Sequence, residues 1–347
     1  MEDSPRLTKS RKQDHIEINL NKNVQSGIVT GFDHFHFNHN PLPEINFQSI
    51  STESDFLGKT VQSPILISSM TGGTADGLVI NRNLAKAAQL RGIALALGSG
   101  RAGLDSVEAA KTYQLRKWAP SIPIYANLGA IQLNYGFGVD ECKRVVEMAE
   151  ANALILHLNS LQEALQPEGQ TNYAGLLKKI TEICKAMAVP VIAKEVGWGI
   201  NALAARRLAD AGVSCIDVAG AGGTSWSEVE KHRNSSEARI RISSHFYDWG
   251  MPTAEAVIEV CQALPDVPVI ASGGLRKGLD IAKSLALGAS MGGIAGGFLR
   301  AATKSSEEVV NLIDELNLEL RIAMFAVGAG TIEQLKQTPI IKAHLND

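Results

Sequence analysis

Apolar, β-branched runs of seven to nine residues recur along the chain, each closing on small or polar residues and each followed by a stretch of helical period. Eight can be counted: 64–70 (PILISSM), 92–99 (GIALALGS), 122–129 (IPIYANLG), 153–160 (ALILHLNS), 190–196 (PVIAKEV), 214–220 (SCIDVAG), 267–274 (VPVIASGG) and 288–296 (GASMGGIAG). Continuous apolar runs of this length suit strands buried on both faces. Stretches such as 81–91 (NRNLAKAAQLR), 203–211 (LAARRLADA) and 278–287 (GLDIAKSLAL) return an apolar residue every third or fourth position, as covering helices do. Eight βα units predict an α/β fold of the (β/α)8 TIM-barrel type, because an open doubly wound sheet more usually has fewer strands. Residues 1–60 precede the first strand as an N-terminal extension, and residues 61–347 form the barrel as one catalytic domain. Roughly 45 residues, 221–266, form a long insertion between strands 6 and 7. The extension and this insertion are the natural lid and substrate-binding segments, and within the insertion 230–241 (EKHRNSSEARIR) is polar enough to be mobile, with a plain solvated loop as the other reading.

Composition narrows the class. With 347 residues, 45% hydrophobic and 20% charged, the chain can bury a sizeable core. A net charge of -3 and a pI near 6.3 provide no basic field for nucleic acid. Cys142, Cys184, Cys215 and Cys261 are scattered, which predicts buried reduced thiols rather than a zinc site or redox pair. No run resembles a signal peptide or a membrane span, so the expected setting is cytoplasmic, without a membrane partner.

The strand ends carry the chemistry, since barrel enzymes place their active sites there. Ser272-Gly273-Gly274-Leu275-Arg276 ends the seventh run and Ala295-Gly296-Gly297 the eighth. Two glycine-rich loops on the last two strands are the recurrent barrel cradle for a phosphate. Lys194 ends the fifth run, where a cation can stabilise an anionic reduced flavin; it can equally be an interior ion-pair partner of Glu195. The fourth run continues as His157-Leu158-Asn159-Ser160-Leu161-Gln162-Glu163, an imidazole, two carboxamides and a carboxylate within seven residues, dense in groups for a metal-bound oxyanion. Arg11-Lys12-Gln13-Asp14-His15 is either a free basic tail or a clamp for a diphosphate folded over the mouth.

Together the segments MTGG, GSGRA, NLGA, HLNSLQEALQPEG, AKEVGWG, AGGTSW, SGGLRKG and GIAGGF resemble the FMN-dependent type 2 isopentenyl-diphosphate isomerases, from Arg11-Lys12 to about Gly297. The resemblance implies that Met70, Thr71, Gly72, Ser99, Asn127, Lys194 and Thr224 contact FMN, with Gly273, Gly274, Leu275, Arg276, Ala295 and Gly296 at its phosphate. It gives Arg11, Lys12, Ser99, Arg101, His157, Asn159 and Gln162 to the substrate diphosphate and Glu163 to Mg2+. Gln162, Lys194 and His157 are the candidate catalytic residues. It implies further that NADPH or NADH serves only to reduce the flavin in this step of isoprenoid biosynthesis, and that the chain assembles as a tetramer or octamer. Two positions depart from the family pattern, Ala219 where serine is frequent and Ser160 where proline is.

Other readings remain open at this point. A 2-hydroxy-acid oxidase should carry a His and an Arg close together after strand 6, and an inosine-phosphate dehydrogenase relative a nucleophilic cysteine there. The loop 221–226 reads AGGTSW, with neither. A barrel that binds a flavin without turnover has little need of the carboxylate in the strand-4 cluster.

Overall fold

The computed structural model describes residues 5–343, with side chains from Lys12 onward. All eight runs become strands: β1 (Ile65–Ile67), β2 (Ala94–Ala96), β3 (Ile124–Gly129), β4 (Ala153–His157), β5 (Val191–Lys194), β6 (Cys215–Asp217), β7 (Val269–Ser272) and β8 (Met291–Ile294). They close into one parallel barrel in sequence order, with β8 beside β1. Leu66, Ala94, Ala96, Tyr125, Ala153, Ile155, Ile192, Cys215, Ile270 and Met291 fill the barrel interior, while the alternate residues pack outward under the helices. A two-stranded hairpin, Ser54–Phe56 with Lys59–Val61, joins that interior through Phe56 and Val61 and closes the N-terminal end.

The helices used below are α1 (Pro5–Asn21), α2 (Ala75–Arg91), α3 (Val139–Ala149), α4 (Ser160–Leu165), α5 (Leu176–Ala186), α6 (Ala202–Asp210), α7 (Trp226–Arg233), α8 (Glu237–Ser244), α9 (Thr253–Ala263), α10 (Gly278–Ala286), α11 (Gly296–Ala302) and α12 (Ser306–Val327). Their ends follow local chemistry. Thr74 caps α2 by accepting the Gly77 N–H, and Gly92 ends it at φ 63, a left-handed conformation that favours glycine. Asn201 caps α6 in the same manner.

The insertion after β6 is largely helical and not a plain solvated loop. Residues 226–233 and 237–244 are helical, and Glu230 in their midst has no exposed surface. Of the charges that made this segment look solvated, Glu230 and Arg233 are turned inward and paired with each other, whereas His232, Glu237, Arg239 and Arg241 stay exposed. The N-terminal extension is likewise no free tail. Its residues 24–26 bridge the loop after β6, with Ser26 N–H donating to Gly223 O and Ser225 N–H to Val24 O, and this lays α1 over the C-terminal mouth. Among the described residues, no helix is long and apolar enough to cross a membrane.

Candidate active site

Strand parity builds the floor of the site. Two residues beyond the inward apolar layer, the next inward positions are Ser68, Gly98, Asn127, His157, Lys194, Asp217, Ser272 and Gly293, all polar or glycine. All but Asp217 line one cavity of about 400 Å³ at the C-terminal mouth. Asp217, with no exposed surface, lies beneath, where its Oδ2 pairs with Lys194 Nζ at 2.9 Å. Ser272 Oγ donates to Asp217 Oδ1 at 2.5 Å and accepts from Lys194 Nζ at 3.1 Å. The ammonium is thus held pointing up from a buried carboxylate. Its ion-pair partner is therefore Asp217 and not Glu195: Glu195 Oε2 instead accepts the N–H groups of Val196, Gly197 and Trp198 at 2.6–2.7 Å. Burial pushes the Glu195 carboxyl up to about 7 even though those three donors and Lys194 oppose the shift.

Across the floor, His157 Nδ1 lies 2.8 Å from Asn127 Oδ1, and Asn127 Nδ2 donates to Ser69 Oγ at 3.0 Å. Asn127 thus offers its oxygen to the imidazole, which places the Nδ1 hydrogen on their shared bond. Beside His157 stands a buried carboxamide cluster. Asn159 Nδ2 donates to Gln162 Oε1 at 3.2 Å and to Glu163 Oε1 at 2.9 Å. Glu163 Oε2 accepts from Gln166 Nε2 and from the Gln170 N–H, both at 2.6 Å. Gln162 Nε2 donates to Glu230 Oε1 at 3.0 Å.

Helix α1 forms the roof, bringing Lys12, His15, Ile16, Asn19 and Leu20 to the cavity. Lys12 Nζ donates to Ser99 O at 2.9 Å and to Tyr113 Oη at 2.7 Å, which sets its charge beside Arg101 and the Ser99 loop. Arg11 lies on the same helix, its side chain outside the described residues. His15 Nε2 faces Glu230 Oε1 at 3.3 Å, and its ring packs edge-on against Trp226 with centroids 4.9 Å apart.

The remaining wall comes from the loops after β1, β6, β7 and β8. Met70, Thr71, Thr224, Gly273, Gly274, Leu275, Arg276, Ala295 and Gly296 line the cavity, as expected of a flavin site. Gly72 does not. It packs on the ring of Tyr113, where a Cβ would collide, and so supports Met70-Thr71 from behind. A Cβ on Gly273 or Gly274 would strike the backbone of Gly220 or Gly222, so the loops after β6 and β7 touch through bare backbone. Arg276 donates to Gln25 of the extension. The donor-rich glycine edge, the cation at Lys194 and the polar floor fit a flavin phosphate and ring. Glu163 fits a Mg2+ that takes most of its ligands from a phosphate, through its less occupied Oε1. Among the described residues no cluster of three His, Cys, Asp or Glu side chains stands ready for a metal.

Several residues of the site escape a reading of local motifs. Asp217, Ser272 and Ser68 follow from strand parity and were legible in principle. Glu230 was not, because only the packing of α4 on α7 brings it to Gln162, and the docking of α1 on α7 then sets His15 beside it.

Comparison with known proteins follows this geometry. A model of the FMN-dependent dehydrogenase family matches residues 142–342. Isopentenyl-diphosphate delta-isomerase of Rickettsia africae is 49% identical over 95% of this chain and 96% of its own length, and that of Nostoc sp. is 48% identical over 95% of each. Among solved structures, a lactate oxidase of Pediococcus acidilactici superposes with a TM-score of 0.64 at 18% identity, covering 99% of this chain and 88% of its own. A mandelate oxidase superposes with a TM-score of 0.67 at 17%, covering 97% of this chain and 95% of its own. The latter two likenesses concern the barrel fold alone.

Proposed function

The chain belongs to the isopentenyl-diphosphate delta-isomerase family, of the FMN-dependent type, and from that premise we propose how its own residues perform the interconversion of isopentenyl and dimethylallyl diphosphate. The observation that carries the reading is the convergence on one cavity of the glycine loops, Lys194 and the cluster Asn159, Gln162 and Glu163. When bound and reduced, FMN supplies an electron-rich ring that can give and take a proton without net oxidation. Moving the double bond requires a proton at the terminal methylene carbon and loss of one from C2, with positive character at the tertiary carbon between.

In this reading Lys194, seated on Asp217, would favour negative charge on the bound ring. Lys12, Arg11, Arg101, Ser99, His157 and Asn159 would hold the diphosphate, and Glu163 would hold a Mg2+ that offsets its charge. Gln162 orients the reacting carbons or relays a proton at their edge. Residues 1–60 act as the part of the single catalytic domain that closes over substrate, which the roof formed by α1 supports. NADPH or NADH is needed only to reduce the flavin. Assembly as a tetramer or octamer belongs to the same proposal, supported by Ile242, Tyr247 and Trp249, each about half exposed on the insertion. So does a cytoplasmic setting, supported by four cysteines that are all free.

The oxidase alternative is disfavoured by a specific placement. His232, adjacent to Arg233 in the insertion, is exposed on α7 and neither residue lines the cavity. The proposal is tested by two variants with FMN loading checked by absorbance. Gln162→Ala should lower turnover on the order of a hundredfold with substrate KM little changed. Glu163→Gln should chiefly raise KM and the Mg2+ required. Normal kinetics in both would remove the site.

A further inference from the structure

Arg233 sits outside the cavity with a side chain 10% exposed, yet it faces three carboxylates from three elements. Its Nη1 meets Glu230 Oε2 at 2.6 Å, its Nη2 meets Glu168 Oε1 at 2.5 Å, and its Nε stands 3.9 Å from Asp14 Oδ2. Those partners belong to α7 itself, the loop after α4, and the roof helix α1. We infer that Arg233 is a positioning residue for the isomerisation: by keeping the buried Glu230 ionised, it fixes which face of the Gln162 carboxamide is turned to the substrate. The inference rests on the reading that Gln162 lies at the substrate.

Hydrogen-bond capacity sets the orientation of the carboxamide. An ionised carboxylate only accepts, so Gln162 must turn its NH2 to Glu230 Oε1 and its oxygen toward Asn159 and the cavity. A protonated Glu230 can donate, and the amide then keeps only the longer contact from Asn159 Nδ2, at 3.2 Å, to hold it against turning over. Glu230 has no exposed surface, and a lone carboxylate there would take up a proton. Burial pushes its carboxyl up, but His15, Arg233 and Gln162 together outweigh burial and hold it below the usual range.

The other charged groups around Glu230 do not substitute for Arg233. On α1 there are Asp14 and His15, and the latter is a cation only when protonated. Beyond α4, Glu168 is an acid, and Glu163 is turned to Asn159, Gln166 and Gln170. On α8, Arg239 reaches toward Leu165 O, and on α7 itself Lys231 is paired with Glu228. Arg233 is therefore the permanent cation among the described residues in contact with Glu230.

The test compares turnover against pH for the FMN- and Mg2+-loaded wild type, Arg233→Met and Arg233→Lys. Arg233→Met should move the acidic limb upward by about one pH unit or more, lower turnover at neutral pH about tenfold, and recover in part at higher pH. FMN affinity, read by flavin fluorescence, should stay within about twofold, and Arg233→Lys should restore most of the wild-type profile. An unmoved limb overturns the inference, whether turnover is unchanged or uniformly low. Should Arg233→Met fail to fold, the Glu230→Gln background removes the uncompensated buried charge. There, adding Arg233→Met should cost no further turnover, and a further loss of tenfold overturns the inference. A wild type that does not isomerise at all sinks the functional reading itself, a result distinct from an unmoved limb.

Discussion

In the proposed reaction the buried pair Lys194 and Asp217 would serve both folding and chemistry. Removing the lysine alone leaves a fully buried carboxylate without its cation, so Lys194→Met should cost about 3–5 kcal/mol in denaturant unfolding. Lys194→Met with Asp217→Leu should regain most of that stability while turnover stays lost, which separates the two roles. Glu195 gives a pH signature of its own. Its folded value of about 7 stands above the ordinary 4.5, so the folded chain holds this proton more tightly. That contribution is fully present below about pH 4.5 and is lost as pH rises through 7, by up to about 3 kcal/mol. Glu195→Gln should therefore flatten the fall in stability between those pH values, and a slope identical to wild type would contradict the assignment. At this scale the sequence exposed Lys194 and the His157 to Glu163 cluster because they end apolar runs. It hid the lysine's partner, which lies not beside it in the chain but one strand over.

Helices α1 and α7 carry the part of the site that local pattern missed. Polar segments such as 230–241 read as solvated because a single sequence does not disclose which charges will meet across an interface. In the fold, Glu230 meets His15, Gln162 and Arg233, and the start of the supposed loop becomes a support behind Gln162. The basic segment at 11–15 was open between tail and clamp for the same reason. Among the described side chains of α1, Ile16 is buried and Leu20 partly so, a small share of the core, so deleting residues 1–22 should leave a folded barrel that still binds FMN. Substrate KM should rise on the order of tenfold or more, since Lys12 and Arg11 leave with the helix. Circular dichroism, flavin titration and kinetics on the truncated chain check this, and an unchanged KM would contradict the roof's role.

At the scale of the molecule, stability and chemistry occupy opposite ends of one barrel. The strand count, the closure and the position of the phosphate loops were legible because eight buried runs each announce themselves. The N-terminal hairpin that plugs the barrel was not, because Phe56 and Val61 lie in too short an apolar pattern to stand out. Phe56→Ala should cost about 3–5 kcal/mol in unfolding and leave turnover per folded molecule unchanged. The same barrel frame is shared with lactate and mandelate oxidases, and so the fold alone does not choose the reaction. In the proposed reading the choice rests on the residues around Gln162 and Lys194. The most direct test incubates the protein anaerobically with FMN, Mg2+, isopentenyl diphosphate and far less NADPH than substrate. Conversion to dimethylallyl diphosphate that continues past the NADPH supplied, and stops when flavin is left oxidised, is the predicted result. A protein with reduced flavin that leaves isopentenyl diphosphate untouched would contradict the account.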